Sequence, residues 1–214
     1  MNIVVHTVGA LAENCYLVVD DATRACVLVD PGAEGERLVA AVRDSGASLE
    51  AIWLTHAHVD HVGGIAAVKR VWDVPVHLNP LDAPLYEGAA RVAELYGIRP
   101  FESPPPYDRA LADNARLHLG ALAFDVLHTP GHAPGHSVFV GNGVMFSGDL
   151  LFAGSIGRTD LPYCDPAQMT RSLARVSHLP ERTLVYPGHG PSTSVGDELR
   201  TNPFLTGAAR VRGG

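Results

Sequence analysis

Apolar positions in the first third of the chain fall in short runs divided by turn residues. Ile3 to Val8, Tyr16 to Val19 and Ala25 to Val29 read as consecutive strands, the last ending in Asp30-Pro31-Gly32. Leu38, Val39 and Val42 then recur at helical spacing before Ser45-Gly46, and Ala51 to Leu54 makes a short buried strand. From Val62 to Val71 the apolar positions Ile65, Val68 and Val71 suit a helix, preceded by the Gly63-Gly64 pair, which permits close backbone approach. Residues 80–109 are richer in Pro, Ala and Tyr and only weakly periodic before Ser103-Pro104-Pro105-Pro106, so they read as a surface excursion inserted near the cleft. A second strand-rich half follows, with Arg116 to Leu119, Ala121 to Leu127, Ser137 to Val140 and Val144 to Phe146 separated by glycine turns. Asp165-Pro166 supplies a cap and a first-turn proline for a helix whose apolar stripe is Met169, Leu173 and Val176. Thr183 to Tyr186 is the strand that delivers Pro187-Gly188-His189.

Strand groups interleaved with helices fit an α/β architecture, an αββα sandwich of two mixed β-sheets flanked by helices. The 214 residues, 46% of them hydrophobic, suffice for a single domain over residues 1–214. A formal net charge of −7 with no basic cluster leaves no electrostatic footprint for a phosphate backbone or an anionic membrane surface. No apolar run approaches the roughly 18 residues of a membrane span, and the amino terminus lacks a signal-peptide pattern. A soluble, cytoplasmic protein without nucleic-acid or membrane partners is expected. Cys15, Cys26 and Cys164 are odd in number and widely spaced, which argues against a disulfide framework or a thiolate metal knot.

The eleven histidines change the picture, because several sit in short segments rich in Gly, Pro or Asp. His56, His58, Asp60 and His61 lie within six residues just past a predicted strand, and imidazole and carboxylate suit borderline divalent ions. One short loop cannot aim all four at one ion. The spacing lets His56 and His58 face one centre while Asp60 and His61 face a neighbour, so two metals are expected. His132, Asp149 and His189 each sit at a glycine-marked turn after a strand, which is how ligands distant in sequence converge on one site.

With Thr55-His56-Ala57-His58-Val59-Asp60-His61 and these three turns, the chain resembles the metallo-β-lactamase superfamily, and closely its glyoxalase II branch, over essentially its whole length. The resemblance implies that His56, His58 and His132 bind one metal, that Asp60, His61 and His189 bind the second, and that Asp149 bridges both. It implies two divalent ions per chain, zinc first with iron or manganese as alternatives. Asp30, in Val29-Asp30-Pro31-Gly32, matches a carboxylate that supports the ligands from behind. A carboxylate at position 149, where related β-lactamases carry cysteine or serine, points away from antibiotic hydrolysis. His6, His77, His118, His128, His136 and His178 match no ligand position and are assigned structural or surface roles.

The activity implied is hydrolysis of a small anionic thioester such as S-lactoylglutathione. Two ions sharing a water lower its pKa from near 16 toward roughly 7, giving a bridging hydroxide that attacks the carbonyl. The thiol leaving group, with a pKa of roughly 8.5, departs without a dedicated general acid, and Asp60 is a candidate for proton handling. Arg158, in the Phe152–Asp160 segment that resembles the family's substrate loop, takes the position of a basic substrate anchor. Three features depart from the glutathione-using members. Only 25 residues follow His189, so a short form without the C-terminal helical domain is expected; Thr206 replaces a basic residue after Asn202-Pro203-Phe204; and Asp160 replaces a tyrosine. The alternative is a persulfide dioxygenase with one iron on His56, His132 and Asp149, followed by a lactonase and a noncatalytic metal-binding domain.

Overall fold

A computed structural model describes residues 1–212. In chain order, β1 (Asn2–Val8), β2 (Glu13–Val19) and β3 (Ala25–Val29) lead through α1 (Gly35–Ser45) to β4 (Ser48–Trp53). Then come α2 (Val59–Val62), α3 (Ile65–Val71), β5 (Val76–Leu78), α4 (Ala83–Tyr96) and β6 (Arg109–Ala110). These strands form one mixed sheet in the order β1-β2-β3-β4-β5-β6, antiparallel through β3 and parallel beyond it.

The second half runs β7 (Arg116–Leu119), β8 (Leu122–His128), β9 (Ser137–Gly141), β10 (Val144–Gly148), the hairpin β11 (Leu151–Phe152) and β12 (Ser155–Ile156), α5 (Pro166–Val176), β13 (Leu184–Pro187), β14 (Thr193–Ser194) and α6 (Val195–Thr201). Its sheet has the order β14-β13-β10-β9-β8-β7, with β10 and β13 parallel and the other pairs antiparallel.

Strand periodicity explains the layers. Every residue of β2 and β3 is buried, because alternate side chains point to opposite faces and both faces are covered. Leu17, Val19, Cys26 and Leu28 pack with Leu38, Val42, Ile65 and Val68 of the helices outside the first sheet. Tyr16, Val18, Val27 and Val29, with Trp53, meet Phe124, Val126, Phe139 and Phe146 between the sheets, where Trp53 and Phe124 make an edge-on pair 5.4 Å apart. Met169, Leu173 and Val176 of α5 cover the outer face of the second sheet against Val138, Met145 and Val185. Three apolar layers therefore separate helix, sheet, sheet and helix, the expected sandwich.

One local reading is corrected. Residues 80–109 are not a surface excursion: α4 buries Tyr86, Ala89 and Ala93, and Tyr86 and Ala89 belong to the first core with Phe101 and Tyr107 packed beside them. Ala89 and Ala93 at the contact let the helix lie close, which weakens its apolar signature. The helix carrying Ile65, Val68 and Val71 forms as expected just after Gly63-Gly64, where Gly64 N donates to Pro31 O at 2.8 Å and an added Cβ would stand 2.9 Å from that oxygen. Among the described residues, no helix is long and apolar enough to cross a membrane.

Candidate metal centre

The seven residues expected as ligands follow four different strands. His56 and His58 occupy the turn after β4, Asp60 and His61 lie on α2, His132 follows β8, Asp149 follows β10 and His189 follows β13. The fold brings them together in overlapping groups whose ligand atoms lie within 4.8 Å of one another: His56, His58 and His132; His56, His61 and Asp149; Asp60, His61 and His189.

Asp149 stands between the groups, with Oδ1 3.5 Å from His61 Nε2 and Oδ2 3.4 Å from His132 Nε2 and 3.6 Å from His189 Nε2. Asp60 Oδ2 lies 3.4 Å from His189 Nε2. Gly188 is required by this approach, since a Cβ there would collide with Asp149 Oδ1 and come within 2.8 Å of His61 Cε1.

Three of the imidazoles are held from behind so that one nitrogen faces inward. His56 Nδ1 pairs with Thr55 Oγ1 at 3.1 Å, and Thr55 Oγ1 in turn donates to Asp30 Oδ2 at 2.6 Å. His61 Nδ1 lies 3.2 Å from the same Asp30 oxygen, and His132 Nδ1 lies 2.8 Å from the carbonyl of Arg158. Asp30 is thus buried behind both histidine groups, on a backbone with φ of +51° that an aspartate tolerates better than most residues. Back-side acceptors of this kind fix the ring tautomer and leave the other nitrogen's lone pair for a cation.

Charge divides the cluster. Burial holds His56 well below its ordinary value; burial and the neighbouring His132 hold His58 down to about 3; burial also lowers His132, so these three imidazoles are neutral. Burial lowers His61 and His189 too, but nearby carboxylates, Asp149 for the first and Asp60 for the second, outweigh it and leave both raised. Burial would raise Asp149, yet His61 and its neighbours hold it far below the usual carboxylate range.

The donor set fits divalent ions. His56 Nε2, His61 Nε2 and Asp149 Oδ1 are buried without a hydrogen-bond partner, an arrangement that is costly for polar atoms and normal for ligands. His58 Nδ1 and His132 Nε2 approach to 2.8 Å, and two imidazole nitrogens at that distance need a shared proton or a shared cation.

Four residues support the ligands from behind; the sequence marks His136 only as structural or surface, and misses the other three. His136 is fully buried, accepting from Asp149 N through Nε2 at 3.1 Å and pairing with Thr129 Oγ1 through Nδ1 at 2.9 Å. Its place four residues after His132 is the one sequence signal it gives. Glu13 Oε1 lies 3.8 Å from His61 Nδ1, with burial pushing its carboxyl well above the usual range. Asn14 Nδ2 donates to Pro187 O and Gly190 O, bracketing the turn of His189. Asp82 receives backbone hydrogen bonds from two histidine loops. None of the last three has a local motif. Arg158, expected as a substrate anchor, is exposed and forks onto Asp160 at 2.7 and 2.8 Å.

Two sheets between helices, with a histidine–carboxylate cluster at strand ends, define a metal-dependent hydrolase fold. Residues 8–189 match the Metallo-beta-lactamase superfamily, and the chain belongs to it. It is similar to hydroxyacylglutathione hydrolase GloC of Haemophilus influenzae, 36% identical over 209 residues that cover 96% of this chain and 98% of that one. Among solved structures it resembles TTHA1623 in a di-iron-bound form, with 49% identity, a TM-score of 0.88 and coverage of 94% and 100%. It also resembles BLEG-1 B3 metallo-beta-lactamase, with 38% identity, a TM-score of 0.89 and coverage of 96% and 100%.

Proposed function

We propose that this protein is a dinuclear metallo-hydrolase of small anionic thioesters, with S-lactoylglutathione as the representative substrate. The observation that carries the reading is the pair of ligand groups meeting at Asp149, with inward nitrogens and oxygens left unpartnered. His56, His58 and His132 would hold one ion, Asp60, His61 and His189 the other, and Asp149 both; zinc is the first expectation and iron the second. Two such ions supply a water activated toward pKa of about 7 and a polarised thioester carbonyl.

The remaining work falls to the chain. Asp60, whose Oδ2 lies 3.4 Å from His189 Nε2, would assist proton movement. A thiolate of pKa about 8.5 leaves without an acid aimed at it. Arg158 would meet the substrate's carboxylate by exchanging Asp160 for it, which makes Asp160 a competitor. The similarity to the Haemophilus influenzae hydroxyacylglutathione hydrolase supports the thioester class. A cytoplasmic setting accords with three cysteines that all remain free thiols.

The test is elemental analysis of protein purified without added metal, followed by assay of thiol release from S-lactoylglutathione without oxygen. About two equivalents of metal and turnover are expected. Oxygen uptake with glutathione persulfide, or opening of a β-lactam, without thioester turnover would overturn the assignment in favour of a dioxygenase or a lactamase.

A further inference from the structure

Asp82 immediately precedes α4 and is completely buried, and among the described residues no cation pairs with it. Its Oδ2 accepts a hydrogen bond from Ala57 N at 3.1 Å, and its Oδ1 accepts one from Gly135 N at 2.5 Å. Ala57 lies between His56 and His58, and Gly135 lies three residues after His132 in the same loop. The two donors are far apart in sequence and share this one carboxylate.

A buried carboxylate without a counter-ion is an expensive group, and burial pushes this one up to about 6 despite its two backbone donors. An apolar side chain would fill the space at lower cost. What it could not do is accept from two loops at once. Gly135 is pressed onto the group so closely that a Cβ there would stand 2.8 Å from both Asp82 Cγ and Asp82 N. The loops have one other direct backbone tie, Ser137 N to Thr55 O at 2.7 Å, two residues along the chain from Gly135 and from Ala57. Two ties set two residues apart in each loop fix an angle as well as a distance.

We propose that Asp82 is a positioning residue: its carboxylate locks the His56–His58 turn to the His132 loop and thereby sets the spacing of the three imidazoles that would hold the first metal ion. This rests on the dinuclear reading above. The relevant spacing is tight, since His58 Nδ1 and His132 Nε2 are 2.8 Å apart and must separate about a cation. Asp82 touches none of the Asp60, His61 and His189 group in any recorded hydrogen bond, so the second ion should be spared.

The test is zinc binding by chelator competition, with thermal unfolding of metal-free and zinc-loaded protein, on wild type, Asp82→Asn and Gly135→Ala. In Asp82→Asn an amide N–H₂ faces one backbone donor, so one tie is lost with little change of shape. Wild type should bind two ions; Asp82→Asn should bind one of them roughly 10- to 100-fold more weakly, the scale of losing a group that orients ligands. The rise in Tm on adding zinc should shrink accordingly. Gly135→Ala should weaken the same ion, and the double variant should lose less than the product of the two single losses. Combining Asp82→Asn with His56→Ala should cost no further ion.

A fall in metal-free Tm with both zinc affinities unchanged would make Asp82 structural only and overturn the proposal. If Asp82→Asn does not fold, Gly135→Ala carries the same comparison with the carboxylate in place. Failure of wild type to bind zinc at all would instead remove the dinuclear reading itself.

Discussion

The two halves of the metal centre are built by opposite means. His56, His58 and His132 are neutral imidazoles, two of them backed by uncharged oxygens, the Thr55 hydroxyl and the Arg158 carbonyl. Asp60, His61 and His189 are interleaved with carboxylates, so their imidazoles are raised and their charges already compensated. The first half resembles a site waiting for positive charge; the second balances charge within itself. Loss of a cation should therefore be felt differently: the first group is left with His58 and His132 closed onto each other, whereas the second retains its ion pairs. Asp149 is common to both and anchors the comparison.

The largest effect should come from Asp149→Ala, which removes a carboxylate from both halves. Metal content should fall below one equivalent and thioester turnover by more than about 100-fold, beyond the cost of an orienting group. Retention of two ions would show that the halves do not share Asp149.

A smaller and one-sided effect is expected from Asn14→Ala. It strands the carbonyl of Gly190 beside His189, while Pro187 O keeps the Tyr16 hydroxyl as donor, and should destabilise the protein by about 1–3 kcal/mol. Calorimetry should show that loss, and zinc titration should show weakening of one ion. Equal weakening of both would argue that the halves are mechanically one.

The smallest effect concerns pH. Burial raises Asp82 from 3.8 to about 6 in the folded protein, so folding favours its protonated form. That contribution is fully present below about pH 3.8 and is lost as pH rises through about 6. Metal-free Asp82→Asn, which carries no charge there, should lack this loss, so its stability should fall less than wild type's between those values. Parallel Tm profiles for the two proteins would refute the sign.

Much of the site was legible because its residues are announced locally. His56 to His61 form one run, and His132, Asp149 and His189 each follow a strand through a glycine turn. Strand and helix periods likewise exposed the layers, since burial on both faces of β2 and β3 demands continuous apolar runs. The α4 segment was misread because small residues such as Ala89 and Ala93 bury by close approach rather than by bulk. Its entry residue Asp82 was missed for a related reason: a lone aspartate before a proline-bearing helix start looks like an ordinary cap, yet its side chain makes no cap hydrogen bond and serves two loops instead.

The sequence by itself determined the superfamily resemblance, the alternating layers and the ligand types, because each is written in residues near one another along the chain. Only the tertiary structure decided which groups stand behind those ligands. Asn14 reaches Gly190 across 176 positions, Asp82 reaches Gly135 across 53, and Arg158 turns to Asp160 rather than lying free. Such partners depend on where distant loops pack, and a buried polar group takes whichever complementary atom the packing brings within hydrogen-bond reach.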